Sequence, residues 1–215
     1  MNKSECDEVL IRLSNSIVPI SILNLNKELS NFELLIAIIL SARTTDLKVN
    51  EVIHKLFAIA NTPKKIFFLG EEKLQEIVKP LGFYRNKSKN VIKTAYLIMK
   101  DYCNEVPFVF ENLKNLPGVG RKTANLFLNI AFGYSTIAID THVFRVSNRI
   151  GIGKGKNTYE VEKDLLRNVH KRFIRNLHNY LLLHGRYICL SNKPLCHVCI
   201  ISDLCEFNLN LFKSK

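Results

Sequence analysis

Nearly every run of apolar residues in this chain repeats with the period of an α-helix. One stripe has apolar positions at i, i+3, i+4 and i+7 between residues 124 and 131, and a similar stripe lies between residues 143 and 150. We find no convincing alternation of apolar and polar residues of the kind that marks β-strands. The pattern therefore predicts an all-α protein.

Glycine and proline residues fall between these stripes and divide the chain into about ten short helices. No linker, internal repeat or low-complexity tract interrupts the pattern. The predicted breaks are at Asn61–Pro63, Leu81–Gly82, Pro107, Pro117–Gly118, Gly133 and Gly151–Gly155.

Length and composition predict a folded protein outside the membrane. The chain has 215 residues, of which 47% are hydrophobic, enough for one large domain or two small ones. The first ten residues lack the apolar segment of an export signal, and the longest apolar run, Leu34–Leu40, is too short to span a bilayer. We therefore expect a soluble, cytoplasmic protein.

The formal charge of +12 predicts an anionic partner, with nucleic acid favoured over an acidic membrane surface. The distribution of charge is more informative than its total, because the many Ile, Asn and Lys residues suggest a compositional bias. Residues 141–215 hold 13 Lys and Arg against 5 Asp and Glu. A second basic stretch, residues 77–100, contains six cations without one acid, which favours phosphate contact. These are Lys79, Arg85, Lys87, Lys89, Lys93 and Lys100.

Four cysteines near the C-terminal end form a C-x6-C-x2-C-x5-C pattern, which predicts a metal or cluster site. Their uneven spacing favours a [4Fe-4S] cluster over zinc, and a pair of disulfides is the least favoured alternative. His197 lies inside the C-x2-C motif and could also ligate, although four thiolates already suffice. The cysteines are Cys189, Cys196, Cys199 and Cys205.

The segment Leu116–Ala124, with the sequence LPGVGRKTA, predicts a helix-hairpin-helix turn. Two glycines, Gly118 and Gly120, allow a sharp turn and a close approach to a ligand, and a helix with free N–H groups follows at once. Such a turn binds anions through backbone amides. In a basic protein, DNA phosphate is the obvious ligand, bound without sequence preference.

Lys122 and Asp140 are the candidate catalytic residues. A lysine amine in this position can attack a sugar C1′ and form a Schiff base, or it can simply bind phosphate. Asp140 ends an apolar run before a helix and is a good N-cap. The same carboxylate could also take a proton from Lys122 or stabilise positive charge on a ribose that is losing its base.

Together, the hairpin with Lys122, the segment Ile139–His142 and the four-cysteine loop resemble the endonuclease III family over nearly the whole chain. The resemblance implies a bifunctional DNA glycosylase and abasic-site lyase of base excision repair. Such an enzyme flips an oxidised pyrimidine out of the duplex, displaces it through a Lys122 Schiff base and cleaves 3′ to the abasic site by β-elimination. Asp140 would assist, and the four cysteines would bind one [4Fe-4S] cluster.

The family fold implies two helical domains with a DNA-binding groove between them. We expect residues 22–132 to form a six-helix, helix-hairpin-helix domain. Residues 1–21 and 133–215 would form a discontinuous domain that carries the cluster loop. The expected partner is double-stranded DNA that contains damaged pyrimidines or abasic sites, bound by a monomer associated with the nucleoid.

Several residues are expected to contact DNA, and two of them depart from the family pattern. Arg43 stands where a glutamine is common, and Phe83 where a leucine wedge is common, so the preference for the opposite base is open. The cluster loop holds only one cation, Lys193. The remaining expected contacts come from the hairpin residues Gly118, Val119, Gly120 and Arg121.

Two other functions fit parts of the sequence. A monofunctional adenine glycosylase of the same superfamily would share the hairpin, the aspartate and the cluster, but such enzymes generally lack a lysine at the position of Lys122. A non-catalytic helix-hairpin-helix protein with a structural zinc would explain the hairpin and the charge. It would leave both Lys122 and Asp140 without a role.

Overall fold

The computed structural model describes residues 1–16 and 29–213, and within them it contains helices and no strand. The prediction of an all-α fold is confirmed. The chain divides into two compact units. We call Ser21–Phe132 the hairpin unit. The other unit, which we call the cysteine unit, is built from Met1–Ile20 and Gly133–Lys215.

The hairpin unit is assembled around a helix that is apolar on all sides. Helix α2 has buried residues along nearly its whole length, as expected for the centre of a core. It begins with a capping box, in which the Ser30 hydroxyl accepts from the Glu33 backbone N–H at 3.2 Å and the Glu33 carboxylate accepts from the Ser30 N–H at 2.9 Å. The described helices are α2 (Asn31–Ser41), α3 (Asp46–Ile59), α4 (Pro63–Leu69), α5 (Glu71–Val78), α6 (Tyr84–Asp101), α7 (Phe110–Lys114) and α8 (Arg121–Phe132).

The cysteine unit combines the first helix of the chain with the last ones. In its described part these are α1 (Lys3–Ser16), α9 (Thr141–Ile150), α10 (Thr158–Asn168), α11 (Lys171–Tyr187) and α12 (Glu206–Lys213), with a 3₁₀ turn at Cys196–Val198. Helix α11 packs against α9 and α1. The predicted stripe on α9 is buried, with Val143 and Val146 fully enclosed. Ionic contacts also join α1 to later residues, such as Arg12 to Asp203 at 2.8 Å.

The sequence breaks correspond to ends of helices. Gly151, with a φ of +96°, ends α9 in the left-handed conformation that glycine adopts most readily. The stripe predicted for residues 124–131 lies on α8, where Ala124, Phe127 and Leu128 are buried. Among the helices of the described ranges, none has the length and hydropathy needed to cross a membrane.

Candidate functional site

The hairpin is fixed to the hairpin unit by close packing. Val119 is buried, and its N–H donates to the Leu116 carbonyl at 3.0 Å, which closes the turn. Gly118 has a φ of +80°, and a Cβ at this position would lie 3.1 Å from the Cβ of Asn90. The Thr94 hydroxyl, which is fully buried, donates to the Pro117 carbonyl at 2.8 Å. Both the backbone conformation and the available space therefore favour glycine at position 118.

Helix α8 starts immediately after this turn. The Ala124 N–H donates to the Gly120 carbonyl at 2.9 Å, so the amides before Ala124 precede the first intrahelical bond and point out of the helix end. Gly118 and Gly120 are both exposed. Arg121 lies over the ring of Phe110 at 5.2 Å. Lys122 is exposed in the first turn of the helix, directly beside the hairpin backbone.

Asp140 is the N-cap of α9. Its Oδ1 accepts a hydrogen bond from the Val143 N–H at 2.7 Å, and the side chain is half-buried. This capping bond fixes the carboxylate and uses only one of its two oxygens. Lys122 belongs to the hairpin unit and Asp140 to the cysteine unit, and their predicted pairing stays a prediction.

Arg43 and Phe83 lie together on the surface of the hairpin unit. The Arg43 guanidinium carbon is 5.5 Å from the centroid of the Phe83 ring, which is a cation–π distance. Both residues have left-handed backbones, with φ of +54° and +59°. The ring is 62% exposed, which is unusual for so large an apolar side chain.

The basic stretch of residues 77–100, most of which forms α6, is only partly a surface feature. Five of its six cations are exposed, but Lys87 is 5% exposed and cannot reach a phosphate. Its Nζ donates to the Thr44 hydroxyl at 2.6 Å, and burial lowers the pKa of the Lys87 amine to about 8. The interpretation of this stretch as phosphate contacts was therefore wrong for Lys87, whose charge is used inside the unit.

The four cysteines of the C-terminal motif line one small cavity in the cysteine unit. None of these four cysteines forms a disulfide. Burial raises the pKa of Cys199 and Cys205, and the neighbouring cysteines add to this effect. In the two described ranges, no three His, Cys, Asp or Glu side chains converge as a single metal ion would require. His197 is exposed and is not part of the cavity wall.

Two arginines on α9 bind backbone carbonyls at the start of the cysteine loop, by which we mean residues 189–205. Arg149 donates to the carbonyls of Leu190 at 2.6 Å and Ser191 at 2.7 Å, and lies 3.5 Å from the Cys189 sulfur. Arg145 donates to the carbonyls of Gly185 at 2.8 Å and Cys189 at 3.0 Å. Neither residue was expected from the sequence to have this role, although their i, i+4 spacing on the helix that Asp140 caps was a usable signal.

Two histidines of the cysteine unit, His142 and His184, have close side-chain neighbours. The ring Nδ1 of His142 is 3.3 Å from Arg145, and the Nε2 of His184 is 3.8 Å from the Cys199 sulfur. Burial lowers the pKa of His184 to about 4, which keeps its imidazole neutral at physiological pH.

Lys193 lies beside an open cavity of about 510 Å³ in the cysteine unit. Arg145 and Arg186 line the same cavity, so the predicted single cation of the loop has basic neighbours from α9 and α11. The residues of the loop itself, Leu190–Lys193, are exposed. The arrangement gives this surface a positive charge that the loop sequence alone did not indicate.

Comparisons with known proteins agree with this arrangement. Residues 36–171 match the model of the HhH-GPD superfamily base excision DNA repair proteins. The chain is 48% identical to the endonuclease III of Escherichia coli strain K12, over 96% of this chain and 97% of that protein. It is 51% identical to the endonuclease III of Buchnera aphidicola subsp. Schizaphis graminum, over 83% of this chain and 86% of the relative.

Two solved structures are also similar over nearly their whole length. One is a trapped covalent intermediate of endonuclease III with DNA, described as an estranged-adenine complex, at 36% identity and a TM-score of 0.88. The other is a non-covalent endonuclease III–DNA complex, at 35% identity and the same TM-score. Each match covers 99% of this chain and 99% of the other. The chain therefore belongs to the endonuclease III family of the HhH-GPD superfamily of base excision DNA repair proteins.

Proposed function

We propose that this protein removes oxidised pyrimidines from double-stranded DNA through a Schiff base on Lys122 and then cleaves 3′ to the abasic site. As a member of its family it is a DNA glycosylase with abasic-site lyase activity, and DNA is its partner. The observation that carries the finer proposal is the position of Lys122. Its exposed amine follows directly after an anchored hairpin whose backbone amides suit a DNA phosphate.

The proposed chemistry begins with attack by the neutral Lys122 amine on C1′ of the flipped nucleotide. As the new C–N bond forms, the glycosidic bond breaks, and the base leaves with the bonding electrons and takes up a proton. Opening of the sugar gives a protonated imine. Loss of a proton from C2′ then expels the 3′ phosphate. The relative that was trapped as a covalent intermediate with DNA supports a covalent mechanism in this family.

Asp140 would assist at two stages. Its Oδ1 is held by the Val143 amide, which restrains the carboxylate before DNA binds. The second oxygen could accept a proton from the attacking amine or stabilise positive charge on the ribose. Capping and catalysis are therefore compatible roles for the same side chain.

Backbone and side-chain donors would hold the DNA without reading its sequence. On the hairpin, these are the amides of the exposed residues Gly118 and Gly120 together with Arg121. In the cysteine unit, Lys193 and Arg186 line the same open cavity. These two side chains would contact a second stretch of the DNA backbone. Since such contacts release counterions, the affinity should fall steeply with salt.

The donor set of the cysteine unit fits a [4Fe-4S] cluster, which Cys189, Cys196, Cys199 and Cys205 would bind. All four thiols line the same cavity, so they could bind a group larger than a single ion from several sides. When bound, the cluster would cross-link residues 189–205. Arg149 would stabilise the negative charge at the Cys189 thiolate, since it is 3.5 Å from that sulfur. We also propose that the protein is a monomer and acts at the nucleoid in the cytoplasm.

Borohydride trapping tests the central role of Lys122. Wild-type protein incubated with a duplex that contains one abasic site should give a covalent protein–DNA band, and Lys122→Ala should give none. Lys64→Ala is a matched control, because Lys64 is also an exposed lysine in the first turn of a helix. A wild-type protein that binds the duplex but forms no band would reject the Schiff-base mechanism.

Two further measurements address the alternatives. Release of adenine without strand cleavage or trapping would favour the monofunctional glycosylase. Iron and acid-labile sulfide in the purified protein would support the cluster, whereas one zinc per chain would support the structural-zinc alternative.

A further inference from the structure

Three aromatic side chains form an exposed cluster on the hairpin unit, which we call the aromatic patch. Phe67 and Phe68 lie at the end of α4, and Tyr96 lies on α6, which packs against α4. The Phe67 ring centroid is 5.5 Å from that of Tyr96 and 5.7 Å from that of Phe68. Phe68 is 71% exposed and Tyr96 is 43% exposed. Exposed rings that are contiguous, unlike a single exposed ring, mark an interaction site.

Exposed lysines lie beside the rings of the aromatic patch. On α4, Lys64 precedes the two phenylalanines by three and four residues, so it shares their side of the helix. On α6, Lys93 and Lys100 lie three residues before and four residues after the tyrosine. The Lys100 Nζ is 5.9 Å from the centroid of the tyrosine ring, which is a cation–π distance. The patch therefore has an apolar centre and a basic rim.

The protein itself does not neutralise this rim. Helices α4 and α6 together contain one acidic residue, Asp101, at the last position of α6. Across residues 1–16 and 29–213, no carboxylate forms an ion pair with Lys64, Lys93 or Lys100. By contrast, Lys73 on the neighbouring α5 pairs with a glutamate of its own helix at 2.6 Å. A ligand that complements the patch must therefore be apolar at its centre and negatively charged around it.

The aromatic patch faces away from the hairpin. The Thr94 hydroxyl of α6 donates to Pro117 of the hairpin, and Tyr96 follows two residues later. Two residues correspond to about 200° around the axis of an α-helix, so the two side chains lie on opposite sides of α6. A ligand on the patch would leave the hairpin backbone accessible.

We propose that the aromatic patch binds an acidic peptide segment of another protein. One aromatic or long aliphatic side chain of the peptide packs against Phe68, and its carboxylates pair with the lysines of the rim. Lys93 and Lys100 thus meet carboxylates rather than the phosphates expected from the sequence. The proposal goes beyond the repair chemistry and does not depend on it. Because the hairpin stays accessible, the peptide and DNA can be bound at the same time.

Single-stranded nucleic acid is the other ligand that basic and aromatic side chains together can bind. The geometry of the rings favours the peptide. Phe67 and Phe68 meet edge to face at 75°, and Phe67 is tilted by 32° from Tyr96, so the rings form a compact cluster and not a row of parallel faces for successive bases. Duplex DNA presents a charged backbone, which would leave the exposed Phe68 ring in water.

Fluorescence anisotropy with three labelled probes tests the proposal. The first probe is the peptide DEDFLEDD, the second is the same peptide with alanine in place of its phenylalanine and leucine, and the third is oligo(dT). Wild-type protein should bind the first probe at least about tenfold more tightly than the second. Phe68→Ser should weaken binding of the first probe by about tenfold, and its high exposure makes the variant compatible with folding.

Two matched controls separate the patch from general effects. Phe108→Ser changes another exposed ring of the hairpin unit, which is 58% exposed and lies 6.2 Å from Phe132, and it should keep wild-type affinity for the peptide. Lys64→Glu should weaken peptide binding, because it reverses a charge of the rim. Lys163→Glu makes the same charge change at an exposed position of α10 and should have little effect.

The remaining outcomes would overturn the proposal. These are the absence of peptide binding, equal affinity for the two peptides, and equal losses in Phe68→Ser and Phe108→Ser. Binding of oligo(dT) that Phe68→Ser weakens more than peptide binding would assign the patch to single-stranded nucleic acid instead.

The repair chemistry is measured separately on the same variant. Phe68→Ser should give wild-type base release and borohydride trapping, because Phe68 lies outside the proposed active site. A loss of trapping in this variant would place the patch in the DNA-binding surface and contradict the proposal. A wild-type protein that binds the peptide but shows no trapping would reject only the Schiff-base mechanism.

Discussion

The two units hold their functional loops in different ways. The hairpin is secured by buried apolar side chains, Leu116 and Val119, and by one hydroxyl bond from Thr94. The cysteine loop exposes residues 190–193 and is tied through its carbonyls by Arg145 and Arg149. The comparison indicates that the hairpin obtains its shape from apolar packing and hydrogen bonds between uncharged groups. The cysteine loop depends on charged donors and, in our proposal, on the group that its thiols bind.

The largest effect should come from removing one of the proposed cluster ligands. Cys196→Ala should lose iron and expose the loop to protease, with a loss of stability above about 4 kcal/mol in the cysteine unit. Cys103→Ala, which changes an exposed thiol in the hairpin unit, is the control. Limited proteolysis with mass spectrometry should locate the new cuts near residues 190–198. If Cys196→Ala keeps its iron content and its resistance to protease, the loop is held by packing and not by the group that the thiols bind.

The packing of the hairpin can be tested at its two glycines. Gly118→Ala should destabilise the protein by about 3 kcal/mol, because the new Cβ meets Asn90 and Ile39 at 3.1–3.2 Å and the φ is +80°. Gly120→Ala should change stability by less than about 1 kcal/mol, since no atom lies within 4 Å of its added Cβ. Urea unfolding of both variants measures the difference. Equal losses of unfolding free energy in the two variants would mean that the close contacts around Gly118 do not determine the stability of the turn.

The charged donors of the cysteine loop can be tested at Arg149. Arg149→Met should cost about 2 kcal/mol, because the carbonyls of Leu190 and Ser191 lose their donors. Amide hydrogen exchange should rise in residues 190–193 and remain unchanged in the hairpin. Arg172→Met is the control, as Arg172 is exposed and pairs with Asp7 at 3.2 Å. If amide exchange in residues 190–193 rises equally in both variants, Arg149 has no specific role in holding these residues.

The last effect is a pH dependence that belongs to the hairpin unit. Burial lowers the pKa of Lys87 from its ordinary value of 10.5 to about 8, so folding releases a proton from this amine between these two pH values. Stability should therefore rise with pH in this window, by at most about 1.4 kcal/mol per pH unit, and Lys87 should add no slope below it. The difference in unfolding free energy between wild type and Lys87→Met measures this slope. A difference that is flat from pH 8 to pH 10 would contradict the burial.

Local patterns predicted much of this protein, and tertiary contacts supplied the rest. The helical stripe of α9 and the N-cap at Asp140 followed from spacing and capping preference, which are local properties. The burial of Lys87 did not, because its partner Thr44 is 43 residues away in sequence. The same holds for Arg149, whose role depends on carbonyls more than 40 residues later. The conformations of Arg43 and Phe83 were equally hidden, since neither residue type favours a positive φ.

The division of the cysteine unit between both ends of the chain has a consequence for synthesis on the ribosome. Helix α1 emerges first, but its buried residues Cys6, Val9, Leu10 and Leu13 belong to a core whose remaining buried members follow residue 133. The hairpin unit can fold in the interval, because its sequence is continuous. Until α11 has left the ribosome, α1 has an apolar face without its native neighbours. A nascent chain whose residues 1–132 have all emerged should therefore carry a folded hairpin unit and a first helix that is not yet packed.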